Sequence, residues 1–314
     1  MNIVEYDAAD PLGVLHLNLM SFRFALTPER VALIRRLDPR PFPFFALYAV
    51  VDGTVAGQVG VFRLPMSTTE GPEDVGGLWA VCTHPGFQRQ GIAAHLLDEA
   101  HVRMRAAGLR FSTLGTSRHR VAHMLYRQQG YVDLAASASA VARRHIALRD
   151  TRFRAQHAGL EELHLVDEFF RQAAAGFLGF SRRHLPFLPA LVEIGDVNPS
   201  TVWLLWDGER LVGYALAELS GGVLTVTDLL LREGSDAAVA IAALAEASPA
   251  DYVRVSLTRS SYLASLQRAG YQLAPQDWGA FMLKPLTEEV TVDDAVRLFG
   301  IGTDRFMMSW LDVT

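Results

Sequence analysis

The stretch HPGFQRQGIAAHLL fills residues 84–97 and directly follows the apolar run GLWAVCT at 77–83. A strand-like run thus meets a His-Pro turn, and a short basic segment containing Gly91 then opens a long helix. Ile92, Leu96, Ala100 and Met104 recur every four residues, with Ala93 and Leu97 beside them; His95, Asp98, Glu99, Arg103 and Arg105 fall elsewhere around the circle. Gly108 ends the helix. The first turn of a helix leaves N–H donors without partners at the positive end of the helix dipole, so its N-terminus is a ready anion site. Gln88, Arg89 and Gln90 add polar and positive groups there, and Gly91 and Ala93 let a bulky phosphate approach the backbone.

The 314 residues, half of them hydrophobic, favour two domains over one. No apolar run reaches the roughly eighteen residues of a membrane span, and MNIVEYDAAD lacks the basic and apolar regions of a signal peptide; a cytoplasmic protein without a membrane partner is expected. Cys82 is the only cysteine and has no neighbouring ligand set, so neither an internal disulfide nor a metal is expected. Residues 1–150 carry 16 arginines and 13 acids, and the remainder 13 basic and 21 acidic residues. That asymmetry agrees with a polyanionic ligand in the first half. Neither half has a clustered basic stripe, so no nucleic-acid partner is expected.

Along the first half, strands and helices alternate. A strand near 2–6 and helices near 11–20 and 28–37 precede FFALYAVV at 44–51, the hairpin signal Asp52-Gly53 and a strand at 55–64. A loop is expected at 65–75, the strand 77–83 feeds the basic segment, and a strand at 110–114 and a helix at 118–129 follow the long helix. Two strands, 131–134 and 139–148, close the unit. The second half repeats this order: TVWLLWDGERLVGYALAEL turns about Asp207-Gly208, then come VLTVTDLLL at 223–231, a helix at 237–247, YVRVSL at 252–257 and a helix ending in AGYQL. That ending mirrors QGYVDL at 129–134. A linker is expected at 147–152.

The basic segment resembles the acetyl-CoA signature of the GNAT superfamily of N-acetyltransferases: Gln or Arg, two residues, Gly, one residue, Gly or Ala, here Gln88, Gly91 and Ala93. Arg210, Gly213 and Ala215 also match, but inside a strand-like run. Arg297, Gly300 and Gly302 match too, with only twelve residues left after Gly302. Only the Gln88 match sits between a strand and a long helix. The resemblance covers about residues 1–150. It implies an α/β (α+β) fold of two tandem acyl-CoA N-acyltransferase (GNAT-like) domains, each a mixed, mostly antiparallel sheet flanked by helices. Residues 1–149 would be the catalytic domain, and 150–314 a degenerate copy with a C-terminal tail. In that copy REGSDAA replaces the small-residue loop, and Leu266 stands where the first half has Tyr126, so it is expected neither to bind nor to use acetyl-CoA.

The resemblance implies acetyl-CoA as co-substrate. Backbone amides of Gln88, Arg89, Gln90, Gly91, Ile92, Ala93 and Ala94 would cradle its pyrophosphate, and Val81, Cys82 and Thr83 would pair with its pantetheine arm. His119 stands where the family often has a cofactor-contacting Asn. For the proton returned to sulfur, Tyr126 is the candidate. Val121, Met124, Leu125 and Gln128 are expected as the helix's core stripe, and at about 100° per residue Tyr126 points away from it. Ala122, Gly130 and Tyr131 fit the family's pattern around this tyrosine. A phenol of pKa near 10 can protonate a thiolate of pKa about 8.5. For the base, Glu73, Asp74, His84, His119, His123, Asp312 and the terminal carboxylate stay open. Aromatic residues at 20–26 and 40–45, with the acids at 70–74, suggest walls for a cationic, partly apolar acceptor. The expected activity is acetyl transfer to a primary amine of a small molecule or peptide, by direct attack within a ternary complex. The alternative is a non-catalytic acetyl-CoA sensor.

Overall fold

A computed structural model of the protein describes residues 1–147, 152–274 and 279–313. The expected linker and the terminal carboxylate therefore fall wholly or partly outside the described residues. The first half runs β1 (Asn2–Glu5), α1 (Pro11–Phe22), α2 (Pro28–Leu37), β2 (Pro41–Val51), β3 (Thr54–Thr68), β4 (Gly71–Thr83), α3 (Ile92–Ala106), β5 (Phe111–Ser117), α4 (Val121–Gln128) and β6 (Val132–Ala136). Next come β7 (Ala138–Arg143), α5 (Arg144–Ala147), β8 (Phe153–His157), α6 (Leu163–Ala173), β9 (Leu178–Gly179), α7 (Leu188–Ile194), β10 (Val202–Asp207), β11 (Arg210–Ser220) and β12 (Val223–Leu231). The chain ends with α8 (Ala237–Ala247), β13 (Tyr252–Leu257), α9 (Ser260–Arg268), β14 (Gln272–Ala274), β15 (Gly279–Pro285), α10 (Val292–Phe299) and β16 (Phe306–Met307).

Local chemistry accounts for much of this. Asp10 and Thr27 cap α1 and α2 through side-chain oxygens, each followed by proline at the first helical position. Asp52 and Gly53 both take positive φ (48° and 77°) and turn β2 into β3. The expected loop at 65–75 is instead the tip of a long hairpin, with β3 paired to β4 as far as Thr68↔Gly71. The Thr68 hydroxyl donates to Gly71 O at 2.9 Å and accepts from Glu70 N–H, closing a tight turn. Alternating burial of Leu64, Met66 and Val75 against the second half draws this polar-looking segment into the sheet.

The two sheets have the same strand order. One runs β1-β2-β3-β4-β5-β15-β6, and the other, read from its opposite end, β8-β10-β11-β12-β13-β7-β14. In each, the main path holds a single parallel pair, β4 with β5 and β12 with β13. The strand next to that pair comes from the other half of the chain. β15 lies between β5 and β6, and β7 lies between β13 and β14. The expectation that 131–134 and 139–148 both close the first sheet is thus corrected. The former does; the latter gives β7 to the second sheet and then turns helical at Arg144. Alternating small residues let β7 bury Ala140 and Ala142 in the second core.

Helices α3 and α4 cover one face of the first sheet, where Ile92, Leu96, Leu97, Ala100 and Met104 pack with Leu47, Val59, Leu78 and Tyr126. Helices α1 and α2 cover the opposite face with Val14, Leu17, Val31 and Ile34. A further cluster joins Leu64, Met66 and Phe111 to Phe180, Phe281 and Phe299, fastening the halves together. Arg30 adds a 2.7 Å ion pair to Asp196 across the same seam.

Candidate active site

The parallel strands β4 and β5 are in register only at Gly76↔Ser112 and Gly77↔Thr113. Beyond that fork β4 keeps β3 and β5 keeps β15, and the two edges that face each other have no ladder between them. On the β3 side, Gly60 faces Trp79 but Gln58 faces Cys82, so β4 carries an extra residue, a bulge at Ala80 and Val81. Ala80 has φ +47°. Its carbonyl accepts from Gln58 Nε2 at 3.4 Å, and Gln58 Oε1 accepts from Asn18 Nδ2 at 2.7 Å. Both amide side chains are fully buried. Gly60 is needed here, since a Cβ would lie 2.0 Å from the Trp79 ring. Sequence reasoning missed Asn18, Gln58 and Ala80; the signal was an amide in each of two otherwise apolar stretches.

Past Thr83 the chain turns through Pro85–Phe87, where His84 Nδ1 accepts the Gly86 N–H at 3.1 Å. Gln88, Arg89, Gln90 and Gly91 are exposed. Arg89 (φ +62°) and Gly91 (φ +78°) curl the backbone before α3. Gly91 is the N-cap, no side chain accepts from the first turn, and that turn holds no acid. The amides of Ile92, Ala93 and Ala94 are therefore left for an external acceptor. By contrast α8, the counterpart of α3 in the second half, is capped by Asp236, which accepts from Ala238 and Val239.

Tyr126 sits on α4 at 6% exposure, edge-on to Tyr131 with ring centroids 6.0 Å apart. It shares a cluster with Ile92 and Leu97, against which Val81 and Phe87 pack. The expected apolar stripe of this helix is corrected: Val121 and Met124 are 90% and 56% exposed, and His123 and Tyr126 face inward. The reason is polar pairing, because His123 Nε2 meets Asp133 Oδ1 at 2.8 Å and turns the helix that way. Burial raises the Tyr126 pKa well above the ordinary phenol value; the neighbouring Cys82 adds to this, and Arg120 opposes it. The Cys82 thiol is likewise pushed up to about 11, by burial, against a hydrogen bond from Ser21. Both groups stay protonated at neutral pH. His119 is exposed in the turn before α4, its N–H donating to Ser117 Oγ at 3.2 Å.

Most candidate bases are committed elsewhere. Glu73 pairs with Arg110, Asp74 lies 3.7 Å from Arg63, and Asp133 holds His123. His84 is occupied by its own turn. Asp312 packs back on the body, as the apolar tail suggested, but there it pairs with buried Arg183 at 2.7 and 2.8 Å. Among the acceptor candidates, Phe42, Phe44 and Phe45 are core and Arg40 is buried against Asp38. Met20 and Phe22 at the end of α1 remain exposed, and Trp79, stacked on Phe62 at 5.3 Å, is half-buried.

Uncapped amides beside a forked sheet suit a phosphate-bearing ligand with an extended, amide-containing arm. Residues 13–131 match the model of the Acetyltransferase (GNAT) family. The match lies within the first half of the chain, and it supports an acyltransferase. No curated protein matches the sequence. Among solved structures, a GCN5-related N-acetyltransferase from Kribbella flavida is 18% identical with TM-score 0.64, over 94% of this chain and 72% of that one. Another from Anabaena variabilis ATCC 29413 is 16% identical with TM-score 0.65, over 91% and 73%. Eis1 from Mycobacterium abscessus is 18% identical with TM-score 0.63, over 91% and 74%. At these identities the likeness is one of fold, and it extends over both halves.

Proposed function

We propose that the protein is an acetyl-CoA-dependent N-acetyltransferase acting on a primary amine of a small molecule or peptide. Its first copy, about residues 1–149, carries the chemistry, and residues 150–314 form a degenerate copy. The observation that carries this reading is the uncapped α3 N-terminus that follows the forked strand β4, with a protonated Tyr126 in the cluster that holds Ile92 and Leu97. Acetyl-CoA, when bound, supplies an acetyl group activated as a thioester. The amides from Gln88 to Ala94 hold its pyrophosphate, and the free edge of β4 from Val81 to Thr83 aligns its arm. The bulge at Ala80 and Val81 turns a backbone amide toward the acetyl oxygen, where negative charge develops as the amine attacks. Tyr126 keeps the proton that the departing sulfur takes up. The exposed end of α1 and Trp79 offer an apolar approach for the acceptor. A cytoplasmic location fits such a co-substrate.

The test is a panel of amines assayed by release of free CoA. Tyr126→Phe is expected to lower kcat by about 10²–10⁴ with little change in acetyl-CoA affinity. Unchanged turnover removes Tyr126 from the mechanism. The commitment of Glu73, His84 and His123 to other partners favours a second reading, a sensor that binds acetyl-CoA without turnover. Binding of acetyl-CoA with no CoA release from any amine selects it.

A further inference from the structure

The degenerate copy has kept a fork of its own. β12 and β13 pair from Val223↔Tyr252 to Val226↔Val255 and then part. The space between them is filled by the protein itself. Thr227, Leu229, Ser256 and Thr258 face Phe306, Met308 and Trp310 of the C-terminal segment around a small residual void. The Thr258 hydroxyl donates to Met308 O at 3.0 Å, and β16 runs parallel to β9. Beyond this plug, between the end of β12 and the start of α8, a separate cavity of about 620 Å³ opens. Arg232, Arg259, Arg268 and Arg305 line it, with Glu233 and Asp236 as the acids.

The four guanidinium groups form no ion pair among the described residues, whereas the buried Arg40 and Arg183 each do. Nε of both Arg232 and Arg259 is buried without a hydrogen-bond partner. Asp236 is spent on the α8 cap and on the Ser265 hydroxyl at 2.7 Å, although its charge still faces Arg268. Arg259 is fixed between the rings of Phe177 and Tyr262 at 4.4 and 4.7 Å. Four guanidinium groups, one of them fixed between rings, outnumber the two carboxylates round a cavity of ligand size and suit phosphate oxygens.

We infer that this cavity binds a free, phosphate-bearing small molecule, one without a long arm because the tail fills the cleft an arm would need. The assignment stands apart from the proposed chemistry of the first copy. The test is calorimetric titration of the full chain with inorganic pyrophosphate and, in a second arm, with adenosine monophosphate, which separates simple phosphates from nucleotides. Arg268→Glu with Arg305→Glu is the variant of choice, since both residues are exposed. Pyrophosphate or the nucleotide is expected to bind a site that this double variant weakens at least tenfold and that Gly91→Asp, at the first-half loop, leaves intact. Pyrophosphate should also protect Arg305 of the native chain from phenylglyoxal, read by peptide mass. Binding that survives the double variant in a Gly91→Asp background, binding abolished by Gly91→Asp alone, or binding of neither probe overturns the assignment. CoA release against amines, measured on the same variants, reports the first copy independently.

Discussion

At the scale of single residues, the bulge in β4 depends on one amide pair. Gln58→Leu removes the donor to Ala80 O and leaves Asn18 Nδ2 with only Val14 O, at 2.9 Å. We expect a loss of about 1–3 kcal/mol in stability from the orphaned buried group. CoA release should fall in kcat more than in KM, read by steady-state kinetics, if the bulge aims the amide at the reacting centre as proposed. A second buried chain reaches the fork from the other side. Lys284 Nζ lies 3.3 Å from His101 Nδ1, His101 Nε2 meets Tyr131 OH at 2.8 Å, Tyr131 OH meets Ser112 Oγ at 2.6 Å, and Ser112 donates to Gly76 O at 3.0 Å. Burial, helped by the charges of Lys284 and Arg105, lowers the His101 pKa to about 3. An unfolded chain takes up that proton near 6.5, so the native state loses stability as pH falls from about 6.5 toward 3, by up to about 1.4 kcal/mol per pH unit. Denaturant melts across that range should show the slope, and His101→Gln should flatten it.

At the scale of elements, α3 and α8 are the same helix with opposite ends. Placing a carboxylate on α3 by Gly91→Asp is tolerated by the left-handed backbone (φ +78°) better than most substitutions. It would cap the helix and fill the anion site with fixed negative charge. Thermal stability should change little, while acetyl-CoA binding measured by calorimetry should fall by tenfold or more. The strand, turn and helix that frame this proposed site were legible in the sequence because their information is local: an apolar run, a small-residue turn and a periodic helix adjoin in the chain. The Asp52-Gly53 hairpin was legible for the same reason. The inward face of α4 was not, since it is set by Asp133 on the following strand rather than by the helix's own apolar spacing. Nor was the strand between β5 and β6, because β15 lies more than a hundred residues downstream of both and its apolar run would serve either sheet equally well.

At the scale of the whole molecule, the repeat visible in the sequence is two copies that each complete the other. Residues 1–149 lack β15, so in isolation β5 and β6 lose their shared neighbour, and the core residues Phe281 and Met282 go with it. We expect a 1–149 fragment to be insoluble or molten, with poorly dispersed NMR spectra, and co-expression with 150–314 to restore a folded pair with CoA-releasing activity. A well-folded, active 1–149 fragment would show that the exchange is dispensable. The same exchange carries a consequence for biosynthesis. A nascent chain on the ribosome has every first-half residue of the fork long before Lys284 and its strand emerge. The tie from Lys284 through His101 and Ser112 to Gly76 cannot close until then. The first sheet is thus completed only after the strand 279–285 has left the ribosome, and a chain stopped short of it has β5 and β6 without their shared neighbour.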